Sequence, residues 1–257
     1  MQLTDTHTHL FAEEFDADRA EMMQRAIDKG VTSCFLPNIE VSTISAMLKM
    51  CDEFPANCYP MMGLHPCSVN ANYEQQLAEI KTWFDKRKLY GIGETGIDLF
   101  HDITFAEEQK KALRIQIEWA KEMNLPIILH CRNSFNEVME IITEMHDERL
   151  KGIFHCFGGT LEEAQRVMDL KTFKMGIGGV VTYKNSTLPQ VLKEVPLSYI
   201  VLETDSPYLP PVPYRGKRNE SSYIWQVADK LSEIYRLTIE KIAEITTQNA
   251  RDVFGEF

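Results

Sequence analysis

At 257 residues the chain exceeds the usual size of one domain yet matches the roughly 250 residues of an eight-stranded βα barrel. With 44% apolar and 25% charged residues and no long apolar run, the composition is that of a globular protein and excludes a disordered chain or a membrane-spanning helix. A net charge of −11, from 38 acidic against 27 basic residues, excludes a general nucleic-acid-coating surface. It leaves room for an enzyme acting on nucleic acid, because bound divalent cations supply positive field locally.

The chain opens on Gln2–Leu10, QLTDTHTHL, which reads as a strand. Alternation along a strand puts His7 and His9 on one face, two imidazoles within reach of one metal ion. The tripeptide alone does not separate that reading from two polar residues where a strand runs into solvent. No positive n-region or apolar h-region leads it, so no secretory signal is expected and the cytoplasm is the expected compartment.

Further along, short apolar runs predict buried parallel strands at 31–36, 58–63, 90–94, 126–130, 152–155, 173–177 and 199–203, making eight with the first. Helical stripes lie between them: Ile44, Met47, Leu48 and Cys51; Tyr73, Leu77, Ile80 and Phe84; Val138, Ile141, Ile142 and Met145; Ile224, Val227, Ala228 and Leu231. Capping boxes mark helix starts at Thr104/Glu107, Ser134/Glu137 and Thr160/Glu163. The six cysteines form no CxxC pair and suit reduced, mostly structural thiols, with Cys131 and Cys156 facing away from their neighbours His130 and His155. Eight strands separated by helices predict a (β/α)8 TIM barrel in a single domain over residues 1–257. The competing doubly wound sheet lacks a GxGxxG after the first strand.

Placed on this frame, His7, His9, His65, Glu94, His130, His155 and Asp205 fall at or just past strand ends, the face where barrel enzymes build their sites. Five of the seven histidines collect there, while His101 and His146 have no assigned role. Each residue alone has a structural alternative: His130 and His155 as core-edge residues, Glu94 as a helix cap. Together they suit a centre for two divalent metals. The Pro-rich stretch Ser206–Ser222, with Arg215, Lys217 and Arg218, reads either as a solvated loop or as a basic flap over an anionic substrate, and its place after the last strand favours the flap.

Through TDTHTHL (4–10), GLHP (63–66), GETGID (93–98), LHCR (129–132), HCFGG (155–159) and ETDSP (203–207), the chain resembles the TatD family of metal-dependent deoxyribonucleases, within the amidohydrolase-like barrel superfamily. The resemblance implies that His7, His9 and Asp205 hold one metal, that His130 and His155 hold a second, and that Glu94 bridges them. It further implies substrate-side roles for His65 and Arg132 on the phosphate, with Glu203 behind them. The sequence departs from the family habit at Gly158, where a Ser is common, and at Asn219, Glu220 and Ser221, where NEP is common.

The implied activity is hydrolysis of DNA phosphodiesters from an end, with two divalent ions (Mg, Mn or Zn), Asp205 as general base and later proton donor, and Arg132 bidentate on the phosphoryl oxygens. DNA ends are the expected partner, with no membrane and no obligate protein partner. The alternatives are hydrolysis of a cyclic amide or lactone by a similar ligand set, and a catalytically idle barrel acting as a binding protein.

Overall fold

The computed structural model describes residues 1–257. Strands and helices alternate as β1 (Leu3–Asp5), α1 (Arg19–Asp28), β2 (Val31–Pro37), α2 (Ile44–Glu53), β3 (Cys58–Met61), α3 (Tyr73–Lys81), β4 (Ile92–Asp98), α4 (Ala106–Met123), β5 (Ile127–Arg132) and α5 (Phe135–Met145). They continue as β6 (Gly152–Phe154), α6 (Leu161–Asp169), β7 (Phe173–Ile177), α7 (Leu188–Leu192), β8 (Ile200–Leu202), α8 (Ile224–Tyr235) and α9 (Ile239–Phe254). Neighbouring strands pair in parallel and in chain order within two runs, β1 to β3 and β4 to β8. Backbone bonds stitch both seams: Tyr90 N to Pro60 O and Gly93 N to Met62 O between β3 and β4, Thr6 N to Leu202 O and Asp205 N to His7 O between β8 and β1. The ring so closed is the eight-stranded barrel that the sequence predicts.

Alternation along the strands sorts their side chains into two layers. Cys34, Leu36, Met62, Ile127, Leu129, Phe154, Ile200 and Leu202 belong to the large apolar cluster between barrel and helices. The intervening Phe35, Tyr59, Met61, Ile128, Ile153 and Val201 form a separate inner cluster with Ala250, Val253 and Phe254 of α9. Phe254 stacks on Phe35 at 3.8 Å, and Asn249 donates to the carbonyls of Leu197 and Ile200 where β8 begins. Helix α9 therefore seals the amino-terminal end of the barrel. Two residues on from Ile128, Ile153 and Val201 come His130, His155 and Glu203. The barrel interior turns from apolar to polar within one strand repeat, toward the carboxyl end.

Element boundaries depart from expectation where irregular backbone serves the mouth. Strand β1 stops at Asp5, so His7 and His9 lie in the chain beyond it, where Thr8 N reaches across to Phe35 O and His9 N to Ser206 O. Strand β4 runs to Asp98 rather than ending at Glu94, and its register against β5 shifts between Ile92 and Thr95. Ile92 faces the outer cluster, so strict alternation would send Glu94 outward; the shift turns it in. Of the three capping boxes only Thr160/Glu163 forms. The Ser134 hydroxyl instead donates to Ile97 O at 2.5 Å, tying α5 to β4, and Thr104 is taken up by a turn on Asp102 two residues before α4 begins. No helix is long and apolar enough to cross a membrane.

Candidate metal centre

At the carboxyl mouth Nε2 of His7 and Nε2 of His9 lie 3.2 Å apart. Both face Glu94 Oε2, at 3.0 and 3.4 Å, and Asp205 Oδ1, at 3.8 and 3.5 Å. The other oxygen of the same carboxylate, Glu94 Oε1, has His130 Nδ1 at 2.9 Å, His65 Nε2 at 3.3 Å and His155 Nε2 at 3.9 Å. Two groups of lone-pair atoms thus meet on opposite oxygens of one buried glutamate. Separations of this size are those of neighbouring ligands on an ion with bonds of roughly 2.0–2.2 Å. The donor set, imidazole nitrogen with carboxylate oxygen, fits divalent first-row cations.

Outer contacts fix the rings. His130 Nε2 sits 2.9 Å from Asp98 Oδ2, which leaves Nδ1 to face Glu94. His155 Nδ1 lies 3.0 Å from Glu203 Oε1, out of line for a hydrogen bond, while that oxygen accepts from Cys156 N at 2.7 Å. Glu203 has no exposed surface, so its charge backs the His155 ring rather than facing the mouth. The space it occupies exists because β7 offers a glycine: a Cβ on Gly176 would stand 2.0 Å from Glu203 Oε2. Asp205 takes a left-handed φ of 57°, which Asp tolerates, with its amide on His7 O at 2.9 Å. Behind the histidines Asp5 is fully buried and accepts from Thr204 N at 2.9 Å, Thr204 Oγ1 at 2.6 Å and Ser221 Oγ at 2.6 Å.

The electrostatics reflect crowding of unlike groups. Burial would raise Glu94, but the imidazoles of His7, His65 and His130 hold it well below the usual carboxylate range. Asp205 is likewise lowered against the pull of burial, by His155 and His9. Burial alone would lower His9 and His155; Asp205 and Glu94 bring the first up to about 9, and Glu203 and Asp205 bring the second up to about 10. His7 and His65 stay lowered, because burial dominates there. Burial also pushes Asp5 up to about 7.

The mouth opens into a cavity of about 640 Å³ whose walls include His65, Glu94, Arg132 and Asp205. Arg132 lies over the Phe100 ring at 4.3 Å. Every sequence-predicted ligand therefore reaches the mouth, and His65 stands nearer Glu94 Oε1 than His155 does. The flap differs from expectation. Its cavity-lining part is Pro207, Tyr208, Leu209 and Pro210, while Arg218 is held by Asp18 at 2.7 and 2.8 Å and Arg215 lies over Tyr183. The departure at 219–221 is structural: Asn219 donates to the carbonyls of Thr204 and Tyr208, Glu220 pairs with Arg25, and Ser221 anchors Asp5. Sequence reasoning missed Asp98 and Asp5, although both stand inside the motifs GETGID and TDTHTHL.

The pattern of TatD related DNases matches residues 4–255. The chain belongs to that family. Among TatD-related proteins of known sequence, it is 40% identical to the uncharacterized metal-dependent hydrolase YabD of Bacillus subtilis (strain 168), over 98% of both chains. It is 29% identical to the 3'-5' ssDNA/RNA exonuclease TatD of Rahnella sp. (strain Y9602), over 96% of both. The crystal structure of the TatD homologue YjjV from Escherichia coli K12 superposes with a TM-score of 0.92 at 29% identity, covering 99% of this chain and 98% of that one. Each of these similarities runs along nearly the whole of this chain.

Proposed function

We propose that the protein is a divalent-metal-dependent hydrolase of nucleic-acid phosphodiesters, acting on DNA from an end. The observation that carries this reading is Glu94, whose two oxygens each meet a separate cluster of imidazoles. His7, His9 and Asp205 would hold one cation and His130 and His155 the other, with Glu94 shared and His65 at the edge of the second cluster. A pair of divalent cations supplies water of lowered pKa and charge that steadies the attacking and leaving oxygens.

The residues do the rest. Asp205, ionised and at the cavity wall, accepts the proton of the attacking water and returns it to the departing oxygen as the P–O bond breaks. Arg132, on the same wall, meets the non-bridging oxygens as a fork. Polarity and DNA as substrate draw on the family and on the Rahnella exonuclease it includes.

The test is cleavage of end-labelled single- and double-stranded DNA and of RNA, beside a lactone and a cyclic amide, before and after chelation. Phosphodiester cleavage that chelator abolishes and added cation restores is the expected result. Asp205→Asn should lower turnover by about 10²–10⁴-fold with an unchanged circular dichroism spectrum. Chelator-insensitive cleavage, or turnover of the lactone or amide alone, would sink the assignment.

A further inference from the structure

A second group of ligand atoms lines the same cavity outside the histidine–carboxylate centre. Cys67, in the turn after β3, lies with its sulfur 3.4 Å from Asp98 Oδ2 and 3.8 Å from His101 Nδ1, and that nitrogen is 2.8 Å from Asp98 Oδ2. Asp98 is buried and aimed: Oδ1 accepts the amides of Phe100 and His101, both at 2.9 Å, which turns Oδ2 toward the cysteine and both histidines. Cys67 is held from its other side, its amide donating to His65 Nδ1 at 3.1 Å. Cys67 is the exposed one of the six free cysteines, and it lines the cavity together with His101.

From this geometry we infer a third metal site, in which Cys67, Asp98 and His101 bind a zinc-like, thiophilic divalent cation. A sulfur ligand selects such ions over magnesium or calcium, whereas the Glu94 centre contains no sulfur. Tetrahedral zinc, with bonds of about 2.3 Å to sulfur and 2.0–2.2 Å to nitrogen and oxygen, sets its ligand atoms roughly 3.3–3.6 Å apart. The three separations bracket that range: the two to sulfur need shifts of about two tenths of an ångström and the His101–Asp98 pair must open by about half an ångström, which is available because Cys67 and His101 are exposed. Three protein ligands leave the fourth vertex toward the cavity, the pattern of an open rather than a purely structural site. On binding, the thiol passes its proton to solvent and the thiolate takes its place on the ion. Because Asp98 also holds His130, filling this site alters the partner of a ligand in the neighbouring centre. On the nuclease reading, the added positive charge stands in the wall beside Arg132 and faces a phosphate adjoining the one cleaved.

The experiment is a titration of metal-free full-length protein with Co²⁺, followed by near-ultraviolet absorption and metal counting. A thiolate-to-cobalt charge-transfer band should appear, with about three equivalents bound per chain at saturation. C67S should abolish the band and leave about two equivalents, and H101A should weaken the band and bind the third ion less tightly, both with unchanged circular dichroism. Two equivalents without a sulfur band, or a band that persists in C67S, overturns this site and leaves the Glu94 centre standing. No binding at all overturns both.

Discussion

Glu94 carries a burden that no other side chain at the mouth shares, because each of its oxygens faces a different group of imidazoles. Such a carboxylate works only if the rings around it cannot turn away, and two of them have acids behind them: Asp98 hydrogen-bonded to His130, and the Glu203 charge 3.0 Å from His155 Nδ1. Removing the charge of such an outer partner typically weakens metal affinity or activity by 10–100-fold. Glu203→Gln keeps the volume and loses the charge, so metal affinity should fall by about that factor, read by competition with a chromophoric chelator. An unchanged affinity would show that Glu203 only fills space. Gly176→Ala attacks the same contact by steric means. Its Cβ would stand 2.0 Å from Glu203 Oε2, and because the site is fully packed it should cost about 1–3 kcal/mol in urea unfolding and lower metal affinity alongside. The histidines were legible in the sequence because their positions at strand ends are unusual for scattered polar residues. Asp98 and Glu203 were less so, since what defines them is a partner 32 or 48 residues away in the chain, a distance only the folded barrel closes.

At the scale of elements, the existence and order of the strands could be read from apolar runs, but not their ends. Hydrophobic pattern reports burial, while β1 ends and β4 shifts register because of which backbone groups bond across the mouth. The segment Asn219–Ser221 shows the same limit: it looked like part of a substrate loop and instead locks the chain behind β1. Ser221 and Thr204 donate three hydrogen bonds to Asp5, yet full burial still raises that carboxyl to about 7 from 3.8. A group whose folded value is raised favours the fold below its unfolded value, and that contribution is lost as pH rises through the folded value. Asp5 should therefore weaken the fold progressively between about pH 4 and pH 7. Asp5→Asn removes the titration. Its stability relative to the parent chain should improve across that window by about 4 kcal/mol, the worth of a rise from 3.8 to about 7, and then level off. Urea unfolding of both chains at pH 5 and pH 8 measures it, and a difference that does not change with pH would show that Asp5 titrates normally.

Over the whole molecule, the mouth stores protons when no cation is present. Raised to about 9 and about 10, His9 and His155 are charged at neutral pH and balance the ionised Glu94 and Asp205. His130 is raised as well, by Asp98 and Glu94 against the pull of burial. Cations at the Glu94 centre would replace these protons, so loading it should release at least two and tighten as pH rises toward 9. Calorimetry in two buffers of different ionisation enthalpy counts the protons directly. Stability follows with a definite sign. Imidazoles with raised values contribute to the metal-free fold below their unfolded value of about 6.5, and that contribution disappears as pH climbs through 9 and 10. The loaded protein has already given up those protons and does not lose it. At a thousandfold excess over its dissociation constant a cation adds about 4 kcal/mol, or roughly 8–16 °C in melting temperature for a chain of this size. The gap between loaded and chelated melting temperatures should therefore widen from pH 6 to pH 9. A constant gap would mean that the imidazoles are neutral without metal, leaving the carboxylates of Glu94 and Asp205 uncompensated in a mouth that folds regardless.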